Sequence, residues 1–334
     1  MDIYERIYSS LMGTAVGDAL GMPFEMMSGK EIKLIHKQIN DFYDIPEKNF
    51  LKRDLSRAQV TDDTFLTFHL ADYLLKNNGK MDKDDYILDF ARYIKTNKLI
   101  ERSLIGPSTS NIVKKLLKGE KLLLSDRTGT TSGLVMKISP VGLIFPPAKK
   151  SLMLQIIEQT AYYSHYTDTA ITAACGAAAA VSEAAAGSCL DKIISESIDM
   201  MEKGEKLGIK TYQPSVSART KHILKFSRSA FSREEVLIFI SEVIGTGISA
   251  ADVFPAALVI FKLYADDGYQ ALKKAASIGG DTDTIASITG SILGAYKGYL
   301  SFPKKWEKDI LQINNLEIQK TAEKITVLRS DFSG

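Results

Sequence analysis

At 334 residues the chain is long for one hydrophobic core, yet within the reach of a single large domain. Its 45% hydrophobic and 25% charged residues exclude a disordered polymer, and 42 basic against 40 acidic side chains, a net of +2, remove any global drive towards nucleic acid. Two cysteines exclude a disulfide framework and point to a reducing, cytoplasmic compartment.

The first residues, Met-Asp-Ile-Tyr-Glu-Arg, lack the basic and then apolar pattern of a secretory signal. Ile3, Ile7, Leu11 and Ala15 recur at every fourth position and predict a helix, as do Leu66, Leu70 and Leu74. Lys114, Lys115, Lys118 and Lys121 read as a solvated helix face. Residues 135–145 make the best strand candidate, although Pro140 and Gly142 interrupt it. Residues 170–186 are mostly Ala, with Gly, Thr, Ser and Glu183. They predict a buried helix, with Cys175 as a small hydrophobe, and lack the roughly 20 strongly apolar residues of a membrane span. Val236, Ile240 and Ile244, then Ile285, Ile288 and Ile292, extend the helical spacing. Helix stops are expected at Asn77-Asn78-Gly79, Gly187 and Asp266-Asp267-Gly268. Loops are expected over 41–58, 106–110, 125–133, 204–214 and 245–250, none of them a linker between domains. The expected fold is all-α, a single domain over 1–334, with many helices and no sheet of consequence. Glycines four apart, at Gly13, Gly17 and Gly21 and again at Gly290 and Gly294, each cost about 1 kcal/mol in a helix relative to Ala. Tight helix packing accounts for such stripes.

Two acidic clusters open predicted helices: Thr61-Asp62-Asp63-Thr64, and Gly279-Gly280-Asp281-Thr282-Asp283-Thr284. Taken singly, each fits a Thr cap with acids complementing the helix dipole. Both are denser than capping requires, however, and carboxylates that close repel unless a cation compensates. The donors are all hard oxygens, without an adjacent His or Cys, which selects Mg²⁺, Mn²⁺ or Ca²⁺ over Zn²⁺. Brought together, the clusters hold enough carboxylates for two divalent ions.

Four segments then occur in order: Gly13-Thr-Ala-Val-Gly-Asp-Ala-Leu-Gly-Met-Pro-Phe-Glu25, Thr61–Thr64, His165-Tyr-Thr-Asp168 and Gly279–Thr284. Together they resemble the ADP-ribosylglycohydrolases, which include the enzymes that reactivate dinitrogenase reductase, from about residue 4 to about residue 327. The resemblance implies a compact multi-helix orthogonal bundle with a binuclear Mg²⁺ or Mn²⁺ centre. It implies metal ligands at Thr61, Asp62, Asp63, Asp281, Asp283 and Thr284, with Asp283 bridging. Catalytic roles fall on Glu25, Asp62, Asp63 and Asp283, Glu25 matching the family's acid on a flexible loop. Substrate contacts are implied at Asp18, His165 and Asp168. They extend to Gly106, Ser108 and Thr109, ahead of a helix whose N–H groups could face an anion. The stretch Thr131–Pro140 resembles the family's Asn-Gly-x-x-Met-Arg-x-x-Pro segment and adds Ser132, Gly133, Met136 and Lys137. Ser132 stands there for the usual Asn and Lys137 for the usual Arg, a change that matters at a site of planar recognition.

The implied reaction is hydrolysis of a ribosyl glycosidic bond, with ADP-ribose on a modified side chain as the family's usual substrate. A free nucleoside or a small ADP-ribose derivative is the alternative substrate. A non-catalytic crystallin-like or metal-binding protein is the alternative of another class. No nucleic-acid or membrane partner is expected, and a monomer is the default. Leaving group, choice of metal and the role of residues 191–231 stay open.

Overall fold

The computed structural model describes residues 2–51, 53–227, 231–298 and 303–333. Among them, 16 α-helices form the architecture and no strand appears. Isolated bridges tie loops together: Ser28 with Gly279, Thr128 with His165, Thr131 with Ser249, and Thr167 with Ile209.

The N-terminal helix Ile3–Gly21 starts at a capping box of Asp2 and Glu5 and is buried from Ile7 onwards. It runs antiparallel to the helix Thr282–Lys297, and small residues set the spacing. A Cβ added to Gly17 would lie 2.1 Å from the Ala286 carbonyl oxygen, one on Gly290 2.1 Å from that of Gly13, and one on Gly294 2.0 Å from that of Ser9. Backbone contact at that range is what offsets the helical cost of glycine. The Ala-rich helix Asp168–Ala185 is buried along its length, with Cys175 fully enclosed. Arg6 joins both central helices at their ends, donating from Nη1 to the Ala184, Ala295 and Tyr296 carbonyls at 2.9–3.1 Å. Carbonyls left open at helix C-termini favour such a cation.

The expected strand at 135–145 does not form. A 3₁₀ turn, Val135–Lys137, leads into the helix Ser139–Ile144. Pro140 falls in that helix's first turn, where no N–H is needed, and Gly142 lets the helix press on the Ala178 carbonyl. The spacing of Val236, Ile240 and Ile244 spans an α-helix, Arg233–Phe239, that continues as a π-turn, Ile240–Ile244. The Asp266-Asp267-Gly268 stop is also a start, because Asp267 caps the helix Gly268–Ser277. No helix among the described residues is long and apolar enough to cross a membrane.

Candidate active site

Both acidic clusters sit at helix N-termini, and the glycine-lined contact between the first helix and Thr282–Lys297 draws them together. Gly21 is the last point of that contact: a Cβ there would lie 2.5 Å from Asp283 Cα, and Thr282 Oγ1 donates to the Gly21 carbonyl at 2.8 Å. One turn earlier, Asp18 reaches the start of the helix Asp62–Lys76. Its Oδ2 accepts from the N–H groups of Thr61 and Thr64 at 2.9 and 3.2 Å and from Thr64 Oγ1 at 2.6 Å. Its Oδ1 accepts from Thr61 Oγ1 at 2.9 Å. Asp18 thus acts as the anion at that helix N-terminus, from a neighbouring helix. Burial, reinforced by the charge of Asp283, still pushes its carboxyl up to about 7.

The clusters meet where Thr284 Oγ1 donates to Asp63 Oδ2 at 3.3 Å. Asp63 Oδ1 is buried with no hydrogen-bond partner. Carboxylate oxygens of Glu25, Asp281 and Asp283 all lie within 4.8 Å of one another. Asp281 and Asp283 are each 3% exposed. Asp281 Oδ2 accepts from Ser132 Oγ at 2.9 Å, and the Asp281 N–H donates to the Thr246 carbonyl at 2.8 Å.

Glu25 follows the 3₁₀ turn Met22–Phe24 and is fixed on both sides. The Met26 N–H donates to the Gly280 carbonyl at 2.7 Å, and the Gly280 N–H donates to the Met27 carbonyl at 2.9 Å. Gly280, at φ +79°, tolerates no side chain, since a Cβ would lie 1.9 Å from the Thr246 carbonyl oxygen. Asn49 donates to the Glu25 and Pro23 carbonyls, both at 3.1 Å, and ties loop 36–60 to this turn. The same loop inserts Arg53, which pairs with Glu25 and lies 3.6 Å from Asp283 Oδ2.

The electrostatics follow from crowding. In Glu25, Asp63 and Asp281, burial first and the charge of Asp283 second hold the carboxyls well above their ordinary range. Burial pushes Asp62 up to about 7 against the pull of Arg53. Arg53 moves the other way. Burial opposes its charge, but Glu25, Asp283 and Asp62 outweigh that and fix the guanidinium as a cation.

Of the remaining candidates, Ser132 touches the cluster through Asp281, and Lys137 feels the charge of Asp62. His165 is 1% exposed and uses both ring nitrogens, Nε2 with Thr131 Oγ1 at 3.0 Å and Nδ1 with Ser164 Oγ at 2.9 Å. Burial takes its ring down to about 3, so it stays neutral. Gly133 lies against that ring, 2.8 Å from Cε1 at its Cβ position. Met136 is buried, and its carbonyl accepts from Thr67 Oγ1 at 3.3 Å. Lys137, 3% exposed, holds its ammonium 4.6 Å above the Phe90 ring, and burial lowers it to about 8. Asp168 Oδ1 accepts from the Thr169 and Thr211 N–H groups and from Thr211 Oγ1. Gly106 caps the helix Pro107–Leu117, with Ser108 exposed and Thr109 half-buried in its first turn. None of these three bonds to the acid cluster among the described residues. In the stretch left open, Tyr212 is fully exposed, and Arg219 pairs with Asp252.

Sequence reasoning missed Arg53 and Asn49. Neither carries a local signal, since both act through a loop that only the tertiary fold brings to Glu25.

The profile of the ADP-ribosylglycohydrolase family matches residues 1–332. An uncharacterised protein of Escherichia coli K12, YegU, is 29% identical over 329 residues, covering 97% of each chain. The human ADP-ribosylhydrolase ARH3 is 24% identical over 333 residues, covering 91% of this chain and 88% of its own. A solved chain from an ADP-ribosylglycohydrolase-related protein complex superposes with a TM-score of 0.65 at 20% identity, covering 100% of this chain and 99% of its own. In sequence and in fold alike, this chain belongs to the ADP-ribosylglycohydrolase family.

Proposed function

We propose that the protein is a divalent-metal-dependent hydrolase that cleaves a ribosyl glycosidic bond and releases ADP-ribose from a modified side chain. Membership of the family supports a glycosyl hydrolase acting on ADP-ribose linkages. The observation that carries the metal-dependent reading is the convergence of Glu25, Asp281 and Asp283 within 4.8 Å, beside the unpartnered Asp63 Oδ1. Buried like charges and an orphaned carboxylate oxygen are costly unless a cation joins them, and the all-oxygen donor set fits Mg²⁺ or Mn²⁺. Glu25, Asp62, Asp63, Asp281 and Asp283 are the residues that would hold two such ions, with Thr61 and Thr284 contributing hydroxyls.

Divalent cations supply Lewis acidity and an anchor for vicinal hydroxyl oxygens. The chain's own groups do the rest. Asp18 fixes the Asp62–Asp63 turn through four hydrogen bonds, and Ser132 fixes Asp281. Glu25, whose raised affinity for a proton suits a general base, takes the proton of an attacking water at its carboxylate. The neighbouring carboxylates stabilise the positive charge that develops on the ribose ring as the bond breaks. We take the chain as one domain, because its buried core runs continuously from Ile7 to Leu328. We also take it as cytoplasmic, in keeping with its unpaired cysteines.

A panel of ADP-ribosylated peptides, small ADP-ribose derivatives and nucleosides, assayed with Mg²⁺ and Mn²⁺ and after chelation, tests this reading. Asp283→Ala is expected to cut turnover by about 10³-fold or more while the chain stays folded by circular dichroism. Activity that survives chelation would overturn metal dependence. A second reading, a free nucleoside or small derivative as substrate, is favoured by Ser132 and Lys137. Both depart from the family's segment, and both are buried against the site. Turnover of nucleosides but not of modified peptides would select it, and no turnover at all would select the non-catalytic alternative.

A further inference from the structure

Loop 36–60 carries the positive charge of Arg53 into the acid cluster. The Arg53 side chain is only 16% exposed, and its Nη1 pairs with Glu25 Oε2 and stands 3.6 Å from Asp283 Oδ2. Those two carboxylates and Asp281 make up the trio whose oxygens lie within 4.8 Å. A guanidinium and a divalent cation therefore contend for the same oxygens, and their like charges bar close joint occupancy. Arg53 Nη1 and Glu25 Oε2 form a close ion pair. The backbone that carries Arg53 is anchored on both flanks. The Arg53 N–H donates to the Leu51 carbonyl at 3.0 Å; Asn49 holds the loop on one side, and on the other the Arg57 N–H donates to Asp44 Oδ1 at 2.8 Å and Arg57 Nη2 to Asp309 Oδ2 at 3.1 Å. Asp54, Ser56 and Arg57 beyond it are exposed. Neither anchor involves the Arg53 side chain, so its pairing with Glu25 is separate from the bonds that hold the loop.

We propose that Arg53 is a built-in counter-cation that competes with divalent metal for Glu25 and Asp283 and so sets how readily the site takes up an ion. The proposal rests on the metal-dependent reading above. Without metal, the guanidinium offsets part of the repulsion among the buried acids. When an ion enters, it must withdraw, and the segment around it loosens.

The test titrates Mn²⁺ into the full-length protein by calorimetry, for the wild type and for Arg53→Gln. The variant is expected to bind Mn²⁺ about tenfold tighter or more, because a competing charge is gone. Arg53→Lys is expected to fall between the two, and it replaces the glutamine variant if that fails to fold. Hydrogen exchange on the wild type is the second readout, with amides of residues 50–57 expected to exchange faster once Mn²⁺ is bound. Equal or weaker binding by Arg53→Gln, or unchanged or slower exchange in the loop, overturns the proposal while leaving a metal site in place. Absence of Mn²⁺ binding by either protein overturns both the proposal and the reading beneath it.

Discussion

The two acidic helix starts look alike in sequence and are built differently. At Asp62–Lys76, the open N–H groups of the first turn are met from outside by Asp18, which receives two of them along with the Thr61 and Thr64 hydroxyls. At Thr282–Lys297, Asp281 occupies the N-cap position but makes no side-chain capping bond, and its Oδ2 goes to Ser132 instead. Of the clustered acids, Asp283 turns its Oδ1 to the helix end, accepting from the Thr284 N–H at 3.0 Å. One start is met by its own Thr61 and by Asp18 from a neighbouring helix, the other takes the Asp283 bond, and the two clusters meet at the Thr284–Asp63 contact. A helix can afford surplus acids in its first turn only when its own backbone is satisfied by other means.

That contrast can be broken most forcefully at Asp18. Asp18→Ala leaves buried N–H groups of Thr61 and Thr64 unmet, and the expected loss is about 3 kcal/mol or more, read as a lower midpoint in chemical denaturation. Asp281→Ala should do the reverse. In the presence of a chelator it is expected to be as stable as the wild type or more so, because one of several repelling charges is gone, while its affinity for Mn²⁺ falls by about 100-fold or more. If both variants lose stability equally, the difference drawn between the two starts is wrong.

Acid offers a second lever. Asp18 and Asp62 hold protons up to about 7 in the folded chain, whereas an unfolded Asp releases its proton near about 4. Across that window the folded state binds more protons than the unfolded one, so these groups lower stability as pH rises through it. Buried neutral His165, taken down to about 3, contributes in the opposite sense, its stability being lost as pH falls from its unfolded value. Comparing the protein with and without Mn²⁺ at one pH cancels the histidine and isolates the acids. The rise in melting temperature on adding Mn²⁺ is expected to be larger at about pH 7.5 than at about pH 5.5, because protons compete for the same oxygens. A rise that is equal or greater at the acidic pH would sink this account. The smallest effect is expected at Ser132, where Ser132→Ala frees Asp281 Oδ2 and should weaken Mn²⁺ binding by about tenfold without unfolding the chain.

Much of the fold was readable in the sequence, because helices declare themselves locally. Ile3, Ile7 and Leu11 mark a buried face at helical spacing, and the glycines at four-residue intervals announced a close helix contact that the antiparallel pairing of Ile3–Gly21 with Thr282–Lys297 now accounts for. Residues 135–145 misled because an apolar run with Pro and Gly reads as a broken strand, when those two residues instead start a short helix and admit a neighbouring carbonyl. The acid clusters were visible as excess charge, but their meeting was not. It depends on Gly21, Thr282 and Thr284, whose contacts bridge more than 200 positions. Arg53 left no trace, since a loop arginine carries no signature until the fold decides what it faces.

The antiparallel contact between the first helix and Thr282–Lys297 also sets an order of events during synthesis. Gly17 meets Ala286 and Gly21 meets Asp283, so the first helix waits for a segment made more than 260 residues after it. Contacts that distant in sequence close late and slowly. Until they close, Asp62 and Asp63 have no partners across the cleft, and the nascent chain carries its acids without the geometry to use them. The acid cluster therefore cannot assemble until residues 281–284 have been made, however well the earlier helices had formed.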